Sequence, residues 1–106
     1  MADQINASHI LLMYAGSERS SATRRKEEAE AQIAGIEEKL QGGADFAALA
    51  REHSDCSSSQ AGGDLCGFGR GQMVKGFEDA AFGLEVGGTS GVVETPFGFN
   101  IIRRTG

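Results

Sequence analysis

The chain has 106 residues, of which 40% are hydrophobic, and a formal net charge of −5 at pH 7. This length fits one domain with its own hydrophobic core, so we expect a single domain over 1–106. Its folded part should cover about residues 5–104, with a loose start at 1–4. Because phosphate binding needs a basic surface, the acidic balance argues against nucleic acid as a main partner.

Nothing in the sequence predicts a membrane protein. The longest apolar run, residues 10–15, is far too short to cross a bilayer. The first residues lack the basic and apolar segments of a signal peptide. We therefore expect a cytoplasmic protein that makes no use of a membrane.

Two cysteines, Cys56 and Cys66, are too few for a disulfide framework. In a reducing compartment both are free thiols, but the sequence is equally compatible with a disulfide bond between them. His53 and Cys56 form an H-x-x-C pair, but a structural zinc site needs four ligands and the cysteine spacing fits no familiar zinc motif. We expect no metal and one reactive cysteine.

The first predicted element is a strand over residues 5–13, whose apolar run indicates burial on both faces. On a strand Ala7, His9, Leu11 and Met13 share one face. His9 is thus a polar residue on a central strand. It is either a core histidine satisfied by its neighbours or part of a functional site.

A long helix is predicted to begin near Thr23, with that residue or a nearby serine as its cap, and to end at about residue 41 before two glycines. Its buried stripe has helical spacing and consists of Ala29, Ile33, Ile36 and Leu40. Four basic residues lie near its start. They are either solvent-exposed side chains of the helix start or contacts to an anion at the rim of a site. They are Arg19, Arg24, Arg25 and Lys26.

A second helix, capped by Asp45, should end at His53, because apolar residues recur there at helical intervals. Further on, the pattern predicts a strand at 65–68, a helix at 75–82, and a hairpin of strands at 89–94 and 99–104. The order β-α-α-β-α-β-β is typical of an α+β domain whose helices cover an antiparallel sheet.

Four blocks of the sequence carry a specific resemblance. They are S-H-I-L-L at 8–12, S-D-C-S-S at 54–58, G-G-D-L-C-G-F-G-R-G-Q-M-V-K-G-F-E-D-A-A-F at 62–82, and S-G-V-V-E-T-P-F-G-F-N-I-I-R-R at 90–104. Together they resemble the parvulin family of peptidyl-prolyl cis–trans isomerases, in the right order and over nearly the whole chain. The resemblance implies a β-α-α-α-β-α-β-β fold with a four-stranded antiparallel sheet and one more short helix in the Ser-rich loop.

The resemblance also implies a site, residue by residue. The proline pocket falls on Leu65, Met73 and Phe77, with Met13 beside it. The catalytic positions are Cys56, His9, Thr95 and Asn100. Asn100 stands where the family commonly has a second histidine, and we expect it to replace that residue in a hydrogen-bond network with His9 and Thr95.

The phosphate-binding pattern of one branch of the family is incomplete here. Met13 occupies the strand position where that branch has lysine, and the loop before the first helix is shorter, with Arg19 the only basic residue well inside it. We therefore do not expect a preference for phosphoserine before proline. Met13 and Tyr14 favour an apolar or uncharged residue there.

The implied function is a monomeric isomerase that needs no cofactor, accelerates X–Pro rotation in unfolded or flexible polypeptides, and helps proteins fold. A binding module that holds proline segments as a chaperone, with little catalysis, is the main alternative, and the replacement at Asn100 leaves room for it. A thiol enzyme or redox protein centred on Cys56 is a third hypothesis. Faster cis–trans exchange of a proline peptide would separate the first hypothesis from the second.

Overall fold

We analysed a computed structural model, which describes residues 4–17, 22–55 and 57–106. Arg19 and Cys56, both named above, lie outside these ranges. The helices are α1 (Lys26–Gln41), α2 (Phe46–His53), a 3-10 helix (Ser57–Ala61) and α3 (Lys75–Phe82); the strands are β1 (Gln4–Leu12), β2 (Asp64–Gly69), β3 (Val93–Thr95) and β4 (Gly98–Arg104). The 3-10 helix occupies the place where the resemblance implied an extra short helix.

The four strands form one antiparallel sheet in the order β2-β1-β4-β3, which confirms the predicted α+β architecture. The long central pair β1 and β4 sets the register, with His9 opposite Ile102 and Leu11 opposite Asn100. Since side chains alternate across a strand, these four residues share one face of the sheet. His9 and Asn100 are diagonal neighbours on that face.

The opposite face of the sheet packs against α1 and α2 and forms the larger core. The stripe predicted for α1 is confirmed: its alanine and two isoleucines are buried, and Leu40 packs at the edge. The sheet contributes Ile10 and Leu12 from β1 and Phe99 and Ile101 from β4. Burying these side chains stabilises the fold and leaves the other face of the sheet for α3.

The face that carries His9 forms a second core with α3. Its buried members are Ile5, Ala7, Phe68, Phe77, Ala81 and Ile102. Partly buried residues at its margin include Leu65 and Met73. This second core is therefore continuous with the residues predicted to hold proline.

The starts of α1 and α2 differ in how they are capped. Asp45 caps α2 as predicted, because its carboxylate accepts from the amide of Ala48 at 3.0 Å. The predicted cap at Thr23 is wrong: Arg25 is the N-cap residue of α1. The Glu28 carboxylate reaches back to the amide of Arg25 at 3.1 Å, so a side chain within the first turn satisfies this donor.

Two boundaries of the sheet also differ from the predictions. Gln4 is not part of a loose start, because it pairs with Gly69 as the first residue of β1. The strand predicted over 89–94 is reduced to β3 and a single bridge at Thr89. The amide of Ile102 donates to the Ser90 hydroxyl at 2.9 Å rather than to a backbone carbonyl, so the regular ladder is interrupted there.

Candidate active site

A cavity of about 300 Å³ opens on the α3 face of the sheet and is walled almost entirely by apolar atoms. All but one of the predicted site residues line it: His9, Met13, Leu65, Met73, Phe77, Thr95 and Asn100. The exception is Cys56, which lies outside the described residues. Residues from distant parts of the chain are thus brought to one pocket.

The local structure explains why these side chains converge. His9 and Leu11 alternate toward the cavity from β1, and Met13 follows the end of that strand. Phe77 projects from the first turn of α3, and the residues just before this helix add Met73. The pocket therefore forms where the centre of the sheet meets the start of α3.

Three residues that line the cavity were not predicted from the sequence: Leu11, Val74 and Phe97. The alternation along β1 already put Leu11 on the face of His9 and Met13, so that signal was available. Val74 directly follows Met73 in the sequence. Phe97 lies in the turn between β3 and β4, and the period-2 strand pattern says nothing about the direction of a turn side chain.

A chain of hydrogen bonds joins the three polar residues of the pocket. His9 Nδ1 lies 3.2 Å from Asn100 Oδ1, and Asn100 Nδ2 donates to Thr95 Oγ1 at 3.1 Å. All three residues are buried. Buried polar groups are costly unless they are paired; these bonds satisfy Nδ1 of His9, whereas its buried Nε2 has no partner among the described residues.

Phe77 belongs to the cavity and to the core at the same time. Its ring meets His9 edge-on, with 5.4 Å between ring centroids, and is tilted against Phe68 at 6.0 Å. Only 4% of Phe77 is exposed. Aromatic pairs in such arrangements add to the stabilisation from burial alone. The contact also fixes the imidazole of His9 beside the pocket.

The residue before Cys56 is bound to the strand that forms the pocket wall. The amide of Asp55 donates to the carbonyl of Leu11 at 2.7 Å, and the hydroxyl of Ser54 accepts from the amide of Leu11 at 3.0 Å. The segment leading to Cys56 therefore runs along the edge of β1 beside the cavity.

The basic residues at the start of α1 that the structure describes are all paired with carboxylates. Arg24 pairs with Asp55, Arg25 with Glu28 at 3.2 Å, and Lys26 with Glu94 at 3.0 Å. Lys26 lowers the pKa of Glu94 through this hydrogen bond. Burial, together with a hydrogen bond to Glu94, raises the pKa of Tyr14. The pairing favours a structural role over an open anion site.

The described parts of the chain contain neither a metal-binding cluster nor a membrane-spanning helix. Over residues 4–17, 22–55 and 57–106, no group of three histidine, cysteine, aspartate or glutamate side chains could hold a metal ion. In the same ranges no helix is both long and apolar enough to cross a membrane.

The fold and the pocket define a small α+β domain with an apolar cavity and a buried histidine–asparagine pair, and comparisons with known proteins agree on its family. The model of the PPIC-type PPIase domain matches residues 1–106. The peptidyl-prolyl cis-trans isomerase Pin1 of Digitalis lanata is 42% identical over 99% of this chain and 98% of its own length. That of Arabidopsis thaliana is 44% identical over 97% of this chain and 96% of its own length.

Among solved structures, peptidyl-prolyl isomerase ESS1 from Candida albicans superposes with a TM-score of 0.89 and 37% identity. The match covers 98% of this chain and 63% of that one. This chain therefore belongs to the parvulin family of peptidyl-prolyl cis–trans isomerases. It is an isomerase that acts on proline-containing polypeptides, which favours the enzyme over the binding module.

Proposed function

We propose that the cavity on the α3 face is the site where the enzyme rotates X–Pro bonds, with the proline ring against Leu65, Met73 and Phe77. The observation that carries this proposal is the convergence of these three side chains in one apolar pocket beside His9 and Asn100. The largely apolar five-membered ring of proline suits such a pocket, and the polypeptide on either side of it can remain extended.

The chemical task is rotation about a bond with partial double-bond character. Resonance gives the peptide bond a barrier of about 18–20 kcal/mol, so an X–Pro bond exchanges over roughly tens to hundreds of seconds. In the twisted state the carbonyl oxygen carries less negative charge than in the planar state. An apolar pocket disfavours the charge-separated planar form more than the twisted form, which is differential stabilisation of the transition state.

The polar wall of the pocket needs no net proton transfer in this scheme. Asn100 offers an acceptor to His9 and a donor to Thr95, so it can hold the imidazole without titrating. We propose that Cys56 lies near the substrate carbonyl, where a partly ionised thiol would further disfavour negative charge on that oxygen. Support for this comes from Asp55, the preceding residue, which is hydrogen-bonded to Leu11 of the pocket wall.

We propose that the residue before proline is apolar or uncharged. Met13 lines the cavity at the position where the phospho-specific branch has lysine, and the carboxylates of Asp55, Glu28 and Glu94 engage the three cations at 24–26. A phosphate group would have to displace a carboxylate from one of these pairs. The role of folding helper, the monomeric state and the cytoplasmic address stay predictions.

A peptide series tests the preference. Peptides that differ only in the residue before a single proline, with alanine, leucine, glutamate or phosphoserine there, are compared by kcat/KM for cis–trans exchange. The proposal expects the apolar residues to be best and phosphoserine to be among the poorest. A phosphoserine peptide that is clearly the best substrate would contradict it and would point to the cations near the start of α1.

A further inference from the structure

We propose that Arg24 and Asp55 are positioning residues that hold the Met13 side of the substrate cavity. This inference rests on the proposed function, because it assumes that the cavity binds the substrate. Neither side chain lines the cavity. They act through the backbone of a residue that does.

The two side chains enclose the backbone of Met13. The Asp55 carboxylate accepts from the amide of Met13 at 2.8 Å, and the Arg24 guanidinium donates to the carbonyl of Met13 at 2.9 Å. Arg24 and Asp55 are also paired with each other through the same carboxylate oxygen. One ion pair thus satisfies both the donor and the acceptor of a residue that follows the end of β1.

This arrangement replaces strand pairing along the edge of β1. The partner strand β2 pairs with β1 from Gln4 to Ser8, and the next backbone groups on that edge need other partners. Ser54 and Asp55 bond to Leu11, and the Arg24–Asp55 pair continues the row at Met13. The end of β1 is therefore held by residues that are distant in sequence rather than by the sheet.

The position of the pair distinguishes it from an ordinary surface ion pair. The side chains of Arg24 and Asp55 are 25% and 27% exposed, whereas those of the neighbouring pair Arg25 and Glu28 are 78% and 49% exposed. Exposed pairs contribute little, but hydrogen bonds between charged side chains and backbone groups are stronger than neutral ones. Arg25 offers a matched control, since it carries the same charge one residue away and makes no bond to Met13.

Loss of the pair should free the end of β1 and widen the cavity at Met13. Small displacements of a binding group can reduce catalysis by large factors. Because Met13 contacts the bound peptide rather than the rotating bond in this proposal, the loss should fall mainly on KM. We expect kcat/KM for an unphosphorylated apolar X–Pro peptide to decrease on the order of tenfold in Arg24→Ala and in Asp55→Ala.

The experiment compares Arg24→Ala, Asp55→Ala, the double variant and Arg25→Ala, each shown to be folded by circular dichroism at the assay temperature. Kinetics give kcat and KM, and methyl-labelled methionine NMR follows Met13, with Met73 as the reference on the other wall. The two single variants should raise KM and shift the Met13 signal, and the double variant should be little worse than either, since all three lose one shared arrangement. Arg25→Ala should match the wild type.

Asp55→Asn keeps an oxygen that can accept from the Met13 amide, so it should retain more activity than Asp55→Ala; it also serves if the alanine variant does not fold. Single variants no worse than Arg25→Ala, or losses that simply add in the double variant, would overturn the positioning role. If the NMR signal of Met13 in the wild-type protein does not shift when a proline peptide binds, the proposed substrate cavity is overturned as well. The two failures are therefore distinguishable.

Discussion

Asn100 Oδ1 lies 3.2 Å from His9 Nδ1, a contact set by the register of β4 against β1. The amide nitrogen of Asn100 donates to Thr95, which orients the carbonyl oxygen toward the imidazole. A carbonyl oxygen can only accept, so Nδ1 of His9 carries the proton. The hydrogen bond to Asn100 thus places a proton on Nδ1 of His9 without a second titrating residue beside it.

The first prediction concerns the replacement of this asparagine. Asn100→His should keep most of the activity, because a histidine there can also pair with His9 and Thr95. Asn100→Leu, of similar size, should lose activity and stability, since the buried Nδ1 of His9 loses its partner at about 1–3 kcal/mol and Thr95 loses one of its bonds. Isomerase kinetics and thermal unfolding measure both effects. Near-complete loss of activity in a folded Asn100→His variant would contradict an interchangeable role.

The second prediction separates binding from core packing. Met73 is partly exposed at the cavity, so Met73→Ala should lower kcat/KM for a proline peptide with little change in the unfolding midpoint. Phe77 is buried among aromatic rings, and Phe77→Ala should lower both activity and stability, the latter by about 3–5 kcal/mol. Equal fractional losses of activity and stability in Met73→Ala would favour a plain core role for that residue.

The pocket also shows what sequence patterns can and cannot predict. The alternation on β1 and the family resemblance identified seven of the ten residues that line the pocket. They left His9 as either a core residue or part of a site, whereas its ring packs against Phe77 of the second core and also lines the cavity. The ion pair between Arg24 and Asp55 joins positions 31 residues apart, and no local pattern reports such a contact.

Strand boundaries were harder to predict for a related reason. The residues at 89–94 have the composition of a strand, but the hydroxyl of Ser90 takes the place of a backbone acceptor for Ile102. A side chain that competes with the ladder leaves the hydrophobic pattern unchanged. The start of α1 was predicted wrongly for the same reason. The Glu28 side chain accepts from the amide of Arg25, so Arg25 rather than Thr23 is the N-cap residue.

The third prediction concerns the glycine that lies against His9. Gly63 has a φ of +86°, and its carbonyl accepts from the amide of His9 at 2.9 Å. An added Cβ would collide with the His9 carbonyl and lie 3.1 Å from the Cβ of Ala50. Gly63→Ala should therefore destabilise the protein by about 1–3 kcal/mol more than a glycine change without a collision.

Gly71 provides the control for this comparison. Its φ of +88° is nearly the same, but a Cβ there would meet no atom within 4 Å. Gly71→Ala should show only the cost of the left-handed backbone, about 1–2 kcal/mol. Chemical denaturation of both variants gives the difference. Equal destabilisation would mean that the close approach of Gly63 to β1 is unimportant.

The fourth prediction uses pH to test the pairing of Lys26 with Glu94. Lys26 lowers the pKa of Glu94 in the folded protein. The pair therefore stabilises the fold at pH values above the pKa that Glu94 has in the unfolded chain, and this stabilisation is lost as the pH falls through the pKa of Glu94 in the folded protein. Glu94→Gln should lower the unfolding midpoint slightly near neutral pH and not at acid pH. The difference should shrink at high salt, since both side chains are about half exposed. A difference independent of pH and salt would exclude the ion pair as its cause.

The most direct test of the proposed mechanism is a titration of the isotope-labelled enzyme with a peptide that contains one X–Pro bond, followed by exchange spectroscopy on the same sample. We predict faster cis–trans exchange together with chemical-shift changes at Leu65, Met73 and Phe77. Faster exchange with these signals unchanged, and shifts elsewhere on the domain instead, would contradict the claim that the apolar cavity holds the proline while its amide rotates.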